Sequence, residues 1–272
     1  MRIPLMLMSF YTAFAFASPE ADQILEKVRD RYDGTDYISN VTLVTHSKNK
    51  LLSEKKMYML QKDIADNELT LMSVQYPVDV RDVSFLMKTY KEQVQREDEQ
   101  WMYLPAFRKV RRISPKDKRG AFMGSEFSYF DLDKLRVADF DSRLQGEEQV
   151  LSRPAWKIER TPVNQDVINK AGYYKVVLWV DKERDVILRQ DYYDAKGILF
   201  KRQLAKQMEK IQDIWTITES TMDNFTENKK TRISYAETQY NLGLQDSLFR
   251  KGKLKRGVEH SDVSRLTPIA IN

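Results

Sequence analysis

The chain has 272 residues, of which 45 are basic and 40 are acidic, and its formal net charge is +5. This small charge for the length excludes recognition of nucleic acid by bulk charge alone. The chain contains no cysteine, which excludes disulfides, a thiol nucleophile, a cysteine-ligated zinc ion and lipidation of an N-terminal cysteine.

The first 17 residues have the pattern of a secretory signal peptide. Arg2 precedes an apolar run over 3–16, and Ala15-Phe16-Ala17 forms an A-x-A processing site. The pattern predicts cleavage before Ser18. A retained anchor is the alternative, although the run falls short of the roughly 20 residues that span a bilayer. An exported chain of this size without disulfides is expected in a bacterial periplasm.

The next element is a helix, which Ser18-Pro19 begins and Asp33-Gly34 ends. Its apolar face carries Ile24, Leu25, Val28 and Tyr32. Beyond it the hydrophobic period changes to two, which indicates strands. Thirteen strands are predicted, at residues 37–47, 55–61, 68–76, 83–91, 99–104, 108–113, 145–151, 155–161, 173–181, 185–194, 198–209, 214–224 and 229–239.

The strand pattern predicts one wide antiparallel sheet with an apolar face. Phe85 and Met87 alternate with Ser84 and Lys88, as expected when one face is buried and the other is wet. A sheet this wide must curl, and its apolar face needs a cover. The helix at 19–32 and the segment at 120–139 are the available covers.

No repeat or linker divides the chain, so residues 18–240 are predicted to form one domain. Residues 241–272 lack a strand rhythm and form a C-terminal extension or tail. Its basic run at 250–257 suggests a flexible end that contacts a membrane or a partner; a disordered solubilising tail is the alternative.

Motifs for catalysis are missing from the sequence. His46 and His260 lie far apart without metal-ligand spacing, and Gly124-Ser125 lacks the second glycine of a nucleophile elbow. The acidic pairs at 131/133 and 139/141 are interpreted as solvated turn carboxylates. We therefore expect no enzyme activity, no catalytic residue, no metal and no cofactor.

Residues 101–132 hold an aromatic strand, a basic loop and a second aromatic cluster, a combination that suits an amphiphile. Methionine and aromatic side chains repack around variable apolar ligands. The alternative is that they only fill the core beneath a lid. The predicted lining of a hydrophobic cavity is Phe85, Met87, Trp101, Tyr103, Phe107, Phe122, Met123, Phe127, Tyr129 and Phe200.

The basic loop is predicted to contact lipid headgroups or a partner, because an anionic surface would attract its charge. A solvated loop that aids solubility is the alternative. The residues are Arg108, Lys109, Arg111, Arg112, Lys116, Lys118 and Arg119.

Four stretches together resemble the LolA-like outer-membrane lipoprotein-sorting proteins, in their longer, transporter-associated branch. They are 101–105, 111–113, 122–129 and 245–249. Two residues depart from the family pattern, because Glu126 replaces an Asp and Phe130 replaces an acidic residue.

The resemblance implies an incomplete, half-open barrel of antiparallel strands covered by helices. It implies a periplasmic carrier whose interior moves the acyl chain of a lipoprotein or lipid between the inner and outer membranes without a covalent step. It also implies transient membrane contact and an inner-membrane transporter of the resistance-nodulation-division type.

Two other functions remain open from the sequence. A periplasmic sensor or regulatory module would bind a lipid or a partner protein on the same curved sheet without shuttling. A hydrolase of envelope lipids would need a positioned nucleophile and base, which the motifs do not supply.

Overall fold

The computed structural model describes residues 19–91 and 96–269. The predicted signal peptide at residues 1–17 lies outside them. Among the described residues, no helix has the length and apolar character needed to cross a bilayer.

The described chain is mainly β structure. Helix α1 spans Pro19–Asp30 and helix α2 spans Gln165–Ala171. The strands are β1 Asp36–Ser47, β2 Lys50–Ile64, β3 Asn67–Tyr76, β4 Ser84–Tyr90, β5 Glu99–Leu104, β6 Lys109–Ile113, β7 Phe140–Val150, β8 Arg153–Pro162, β9 Lys175–Asp181, β10 Ile187–Tyr193, β11 Leu199–Ile211, β12 Ile214–Asn224 and β13 Lys229–Tyr240.

The sequence prediction gives the right number of strands in the described chain, in the right order. Its largest boundary errors are at β7, which begins at Phe140 rather than residue 145, and at β2, which is longer at both ends. Helix α2 is not predicted. Its local signals are Asn164, whose side chain accepts a 3.0 Å hydrogen bond from Val167 N, and Gly172, which ends the helix with a φ of +78°.

All thirteen strands form one antiparallel sheet in the order β6-β5-β4-β3-β2-β1-β13-β12-β11-β10-β9-β8-β7. Two meanders therefore meet at the centre, where β1 pairs with β13. Strands β6 and β7 are the two edges and do not pair with each other, so the curved sheet stays open. The connection between these edges contains the segment at 120–139.

Successive side chains in a strand point to opposite faces, and each face of this sheet carries a hydrophobic cluster. We call the face that carries Phe85, Met87 and Met222 the inner face. Ile24 and Leu25 of α1 belong to the same cluster, together with Phe122 and Phe127 from the segment between the edges. The helical stripe predicted at 24 and 25 is therefore buried.

The C-terminal segment, residues 241–269, packs on the opposite or outer face over β1 to β5. Its buried apolar side chains are Phe249, Leu254, Val258, Val263 and Leu266, which join Leu60, Leu71 and Trp101 in one cluster. The carboxylate of Asp36 accepts hydrogen bonds from Leu242 N at 2.6 Å and Leu244 N at 2.8 Å. The prediction of a flexible or disordered tail is thus wrong for these residues, because the outer face of these strands is also apolar and needs a cover.

Leu254→Ala is expected to lower the free energy of unfolding by about 2–5 kcal/mol, because Leu254 is fully buried and its truncation leaves a cavity. Urea denaturation followed by circular dichroism measures this loss. Leu51→Ala is the matched control, since Leu51 is 52% exposed and its truncation should change stability by less than about 0.5 kcal/mol. Equal stability of the two variants would contradict a structural role for the C-terminal segment.

Candidate functional site

A loop that crosses the inner face between the two sheet edges forms the candidate site. We call residues 118–133 the lid. Its two arms pair with each other, since Phe122 N donates to Phe127 O at 2.7 Å and Tyr129 N donates to Gly120 O at 3.0 Å. At the turn, Met123 and Gly124 have φ values of +53° and +71°. A glycine adopts this left-handed conformation without strain, which accounts for Gly124 at this position.

The underside of the lid is aromatic and rests on β4. The rings of Phe122 and Phe85 meet edge to face at 5.3 Å, and the Tyr129 ring stacks on Phe85 at 5.4 Å. Phe122 and Tyr129 also meet edge to face, at 5.7 Å. The three rings form one cluster between lid and sheet, with Phe127 buried beside them in the same core.

Several methionines belong to the inner-face cluster on which the lid packs. The buried methionines of the inner-face cluster are Met57, Met59, Met72, Met87 and Met222. Thioether side chains are flexible and polarizable, and they adapt to irregular apolar shapes. This part of the core is therefore built from side chains that can repack.

Polar contacts hold the tip and the middle of the lid to the far half of the sheet. Glu126 accepts a hydrogen bond from the Asn224 side chain at 2.7 Å, and Glu126 N donates to Thr231 Oγ1 at 2.9 Å. The Asp131 carboxylate pairs with Lys201 Nζ at 2.6 Å. The departure from the family pattern at Glu126 therefore has a structural role, as a tether of the lid to β12.

A buried ion pair joins the two ends of the lid. Lys118 Nζ lies 2.8 Å from Asp133 Oδ2, and the two side chains are 6% and 8% exposed. Gln100 on β5 donates to Asp133 Oδ1 at 2.7 Å and to Tyr129 O at 3.0 Å. Burial raises the pKa of Asp133 to about 6, although the Lys118 ammonium acts in the opposite direction.

The structure brings seven of the ten predicted cavity residues together on the inner face. Phe85, Met87, Phe122 and Phe127 are buried there, and Met123, Tyr129 and Phe200 are half-buried against them.

Trp101, Tyr103 and Phe107 do not belong to this group. Trp101 and Tyr103 point to the outer face, where the C-terminal segment covers them and Lys251 Nζ lies 3.8 Å from the Trp101 ring. Gln100 and Met102 take the inward positions of β5 instead. Phe107 lies in the turn after β5 and is 69% exposed. Their grouping with the cavity is a wrong prediction, because closeness in sequence ignores the alternation of a strand.

Six of the seven predicted basic contact residues are exposed, and Lys118 is the exception. Its ion pair with Asp133 withdraws it from any surface, so its assignment as a headgroup or partner contact is wrong. Two of the others pair with neighbouring carboxylates, Arg111 with Asp117 at 3.4 Å and Arg112 with Glu99 at 3.1 Å. Arg108, Lys109, Lys116 and Arg119 are exposed, and their contact with headgroups or a partner stays a prediction.

Sequence reasoning missed an aromatic group beside the lid. Tyr173 lies between Phe130, at 6.2 Å, and Tyr192, at 5.1 Å, and stacks on Phe140 at 6.1 Å. Phe130, the larger departure from the family pattern, is thus a packing residue. Alternation along the predicted strand at 185–194 was the available signal for the burial of Tyr192. Alternation along the predicted strand at 173–181 places Tyr173 on the wrong face, because Tyr173 precedes β9 in the structure.

Comparison with known proteins places the chain in a family. A family model with the description "Uncharacterized protein" matches residues 66–256. A DUF1329 family protein from Desulfovibrio piger is 30% identical, with a TM-score of 0.80 over 88% of this chain and 100% of that one. This chain belongs to the DUF1329 family, and its structure neighbours are LolA-superfamily outer-membrane lipoprotein-sorting proteins. No curated protein matches the sequence.

Two further solved structures support this placement of the DUF1329 chain. A Vibrio parahaemolyticus domain named as an outer membrane lipoprotein-sorting protein is 28% identical, with a TM-score of 0.78 over 87% of this chain and 99% of that one. A LolA superfamily protein from Nitrosomonas europaea is 18% identical, with a TM-score of 0.64 over 88% of this chain and 100% of that one. The second likeness shows the fold, which is LolA-like.

The surface pockets formed by the described residues of this DUF1329 protein include four of 260–540 Å³. None of the ten predicted cavity residues lines any of the four. The protein's own aromatic and methionine side chains fill the space between lid and sheet. A ligand there must displace part of the lid.

The Lys118–Asp133 pair predicts a pH dependence of the free energy of unfolding, which the substitution Asp133→Asn should remove. Because the pKa of Asp133 is raised from 3.8 to about 6, the folded state binds this proton more tightly than the unfolded state. The stability it contributes is present below pH 3.8 and is lost as pH rises through 6. Relative to the variant, the native protein should lose about 2 kcal/mol of unfolding free energy from pH 4 to pH 7.

Urea denaturation at several pH values gives this difference, in which the other carboxyl groups cancel. Asp213→Asn is the control, because the Asp213 side chain is 92% exposed. A difference between native protein and Asp133→Asn that does not change with pH would contradict the buried, proton-binding state of Asp133.

Proposed function

We propose that this protein is a periplasmic carrier that binds the acyl chains of a lipoprotein or lipid between the lid and the inner face of the sheet. It would move this cargo between the inner and outer membranes without catalysis. The observation that carries the proposal is the aromatic underside of the lid resting on a methionine-rich sheet. In this proposal α1 and the lid together cover a half-open barrel.

The inner face has the chemistry that an acyl chain needs. Five buried methionines and the rings of Phe85, Phe122 and Phe127 offer an apolar surface with flexible side chains. Burial of each methylene contributes ~0.8 kcal/mol, so about a dozen carbons supply ~10 kcal/mol before the costs of binding. Part of this energy must replace the contacts that the lid rings now make with the sheet.

The tethers of the lid suit reversible opening. Its tip is held by the side chain and the backbone N of Glu126, and its middle is held by Asp131 and Lys201. Water can replace such polar contacts when the lid lifts, so the main remaining cost of opening is the loss of the apolar contacts of Phe122 and Phe127. The Lys118–Asp133 pair keeps the two ends together, so the loop between them swings as a unit.

The names of relatives and the predicted export signal support the location and the partners. The relative from Vibrio parahaemolyticus is named as an outer membrane lipoprotein-sorting protein. Resemblance to the longer branch favours an inner-membrane transporter of the resistance-nodulation-division type as donor or acceptor. The exposed Arg108, Lys109, Arg111 and Arg112 would contact lipid headgroups or this transporter.

A non-catalytic role agrees with the environment of Ser125. This residue follows Gly124 in the lid and is 3% exposed, and its hydroxyl donates to Phe122 O at 2.7 Å. A hydroxyl that closes a turn inside the protein is unsuited to attack an ester.

The filled inner face favours one alternative, a periplasmic sensor. In this case the lid would respond to a lipid or a partner protein, and the protein would stay bound instead of delivering a cargo. Transfer of a loaded lipid from donor to acceptor vesicles distinguishes the two, since a carrier accelerates the transfer and a sensor does not.

A disulfide that locks the lid tests the site. The variant carries Glu126→Cys and Thr231→Cys, whose Cα atoms are close enough because Glu126 N lies 2.9 Å from Thr231 Oγ1. The chain has no other cysteine. We expect the oxidised variant to take up no fluorescent fatty acid or phospholipid, and reduction to restore uptake. Native mass spectrometry and fluorescence measure the bound lipid.

The two single variants, Glu126→Cys and Thr231→Cys, control for loss of the native tethers and should bind lipid in both redox states. Uptake by the oxidised double variant equal to that of its reduced form would exclude the space beneath the lid as the binding site.

A further inference from the structure

The turns of an antiparallel meander alternate between the two ends of the sheet. Six of the connections in this protein share one end, which we call the Phe107 end. They follow β1, β3, β5, β8, β10 and β12, and they comprise residues 48–49, 77–83, 105–108, 163–174, 194–198 and 225–228. The β1–β13 pairing joins the two meanders in antiparallel register, so these turns stay at the same end across the whole sheet.

Exposed large apolar side chains concentrate at the Phe107 end. Of the ten such residues in the described chain, two, Tyr32 and Leu151, lie at the opposite end. The other eight lie in or beside the six connections, and they are Leu51, Leu52, Val78, Phe107, Val163, Tyr174, Ile198 and Phe225. Single exposed apolar residues are ordinary, whereas their confinement to one end is not.

Basic residues flank two of these tips, those of Phe107 and Leu51. Arg108 and Lys109 follow Phe107 and are both exposed, and Lys48 and Lys50 precede Leu51 in the same way. Four strand spacings of about 4.8 Å separate these two turns along the sheet. A protein groove needs one contiguous apolar patch, whereas separate tips can each enter a lipid surface alone. The cationic neighbours of two of these tips favour a lipid surface that is anionic.

We infer that the Phe107 end docks on the surface of an anionic phospholipid membrane, with Phe107 and Phe225 as inserted side chains. The purpose of this docking rests on the proposed carrier function. The lid tip is tethered at the same end, because Glu126 binds Asn224, the neighbour of Phe225. Docking by this end would bring the opening of the lid to the lipid surface.

Site-specific fluorescence tests the inference, because the chain has no cysteine and accepts a single label. Three single variants, Phe107→Cys, Phe225→Cys and Leu151→Cys, are each labelled with an environment-sensitive dye. Each is mixed with phosphatidylcholine vesicles that either lack or contain about 30% of the anionic lipid phosphatidylglycerol. We expect a blue shift for the first two with anionic vesicles. We expect none for Leu151→Cys, a matched control that is 47% exposed at the opposite end.

Vesicle co-sedimentation of the exported protein measures the contribution of the tips. Phe107→Ser combined with Phe225→Ser should weaken binding to anionic vesicles about tenfold or more, since two rings leave the interface. Leu151→Ser should bind as the native protein does. Equal binding by the double variant, an equal shift of the label at residue 151, or no binding of the native protein would overturn the inference.

Further measurements test whether a membrane or a second protein copy binds the Phe107 end, and separate docking from the carrier function. Size-exclusion chromatography of the native protein and the double variant should give the same monomer, and dimers lost on substitution would instead assign this end to a second copy of the chain. Lipid uptake in detergent micelles requires no docking. If the double variant still loads lipid in micelles but does not bind vesicles, docking by the Phe107 end is supported. The disulfide-locked variant should show the reverse, with lipid loading blocked and vesicle binding unchanged.

Discussion

A sheet of thirteen strands carries more apolar side chains on its inner face than two helices of 12 and 7 residues can bury. The need to cover this surface determines most of the other features of the molecule. The lid crosses the inner face because α1 buries only part of it, and Phe122 and Phe127 are the lid's apolar contribution. The C-terminal segment covers the apolar side chains of the outer face in the same way. Both covers combine buried apolar side chains with polar tethers, but ion pairs between buried side chains hold the lid, whereas backbone N–H groups bonded to Asp36 hold the start of the C-terminal segment.

Two buried ion pairs fix the position of the lid. Buried charges are costly to desolvate, and a buried pair adds little net stability compared with apolar residues of the same shape. Lys118 with Asp133 and Lys201 with Asp131 therefore specify where the lid lies more than they strengthen the fold. An aliphatic lid would bind the sheet more tightly and would compete with any apolar ligand. In the proposed carrier, a lid positioned in part by charge would lift from the apolar surface at a lower cost.

Sequence periodicity predicts this fold well and the site less well. Alternation at Phe85 and Met87 identifies the inner face correctly, and the thirteen strands follow from the same rule. The rule also contains the information that Trp101 points away from Phe85, since Gln100 and Met102 must share the inward face of β5. The prediction instead grouped Trp101 with Phe122 and Phe127 because they are close in sequence. The burial of Lys118 and the packing of residues 241–269 depend on contacts between residues far apart in sequence, which no local pattern encodes.

The pairing of the first strand with the last has a consequence for the order of folding. Strand β1 bonds β13 at the centre of the sheet, so its register depends on residues almost 200 positions away. Contacts of this separation form slowly, because a long loop must close before they contribute. Neither meander can complete its core alone. Because synthesis starts at the N-terminus, the sheet cannot be completed until the last strand, β13, has been made. Until then the exposed edge of β1 is a template for aggregation. Such a protein depends on rapid delivery of the whole chain, or on a chaperone that shields β1 until β13 arrives.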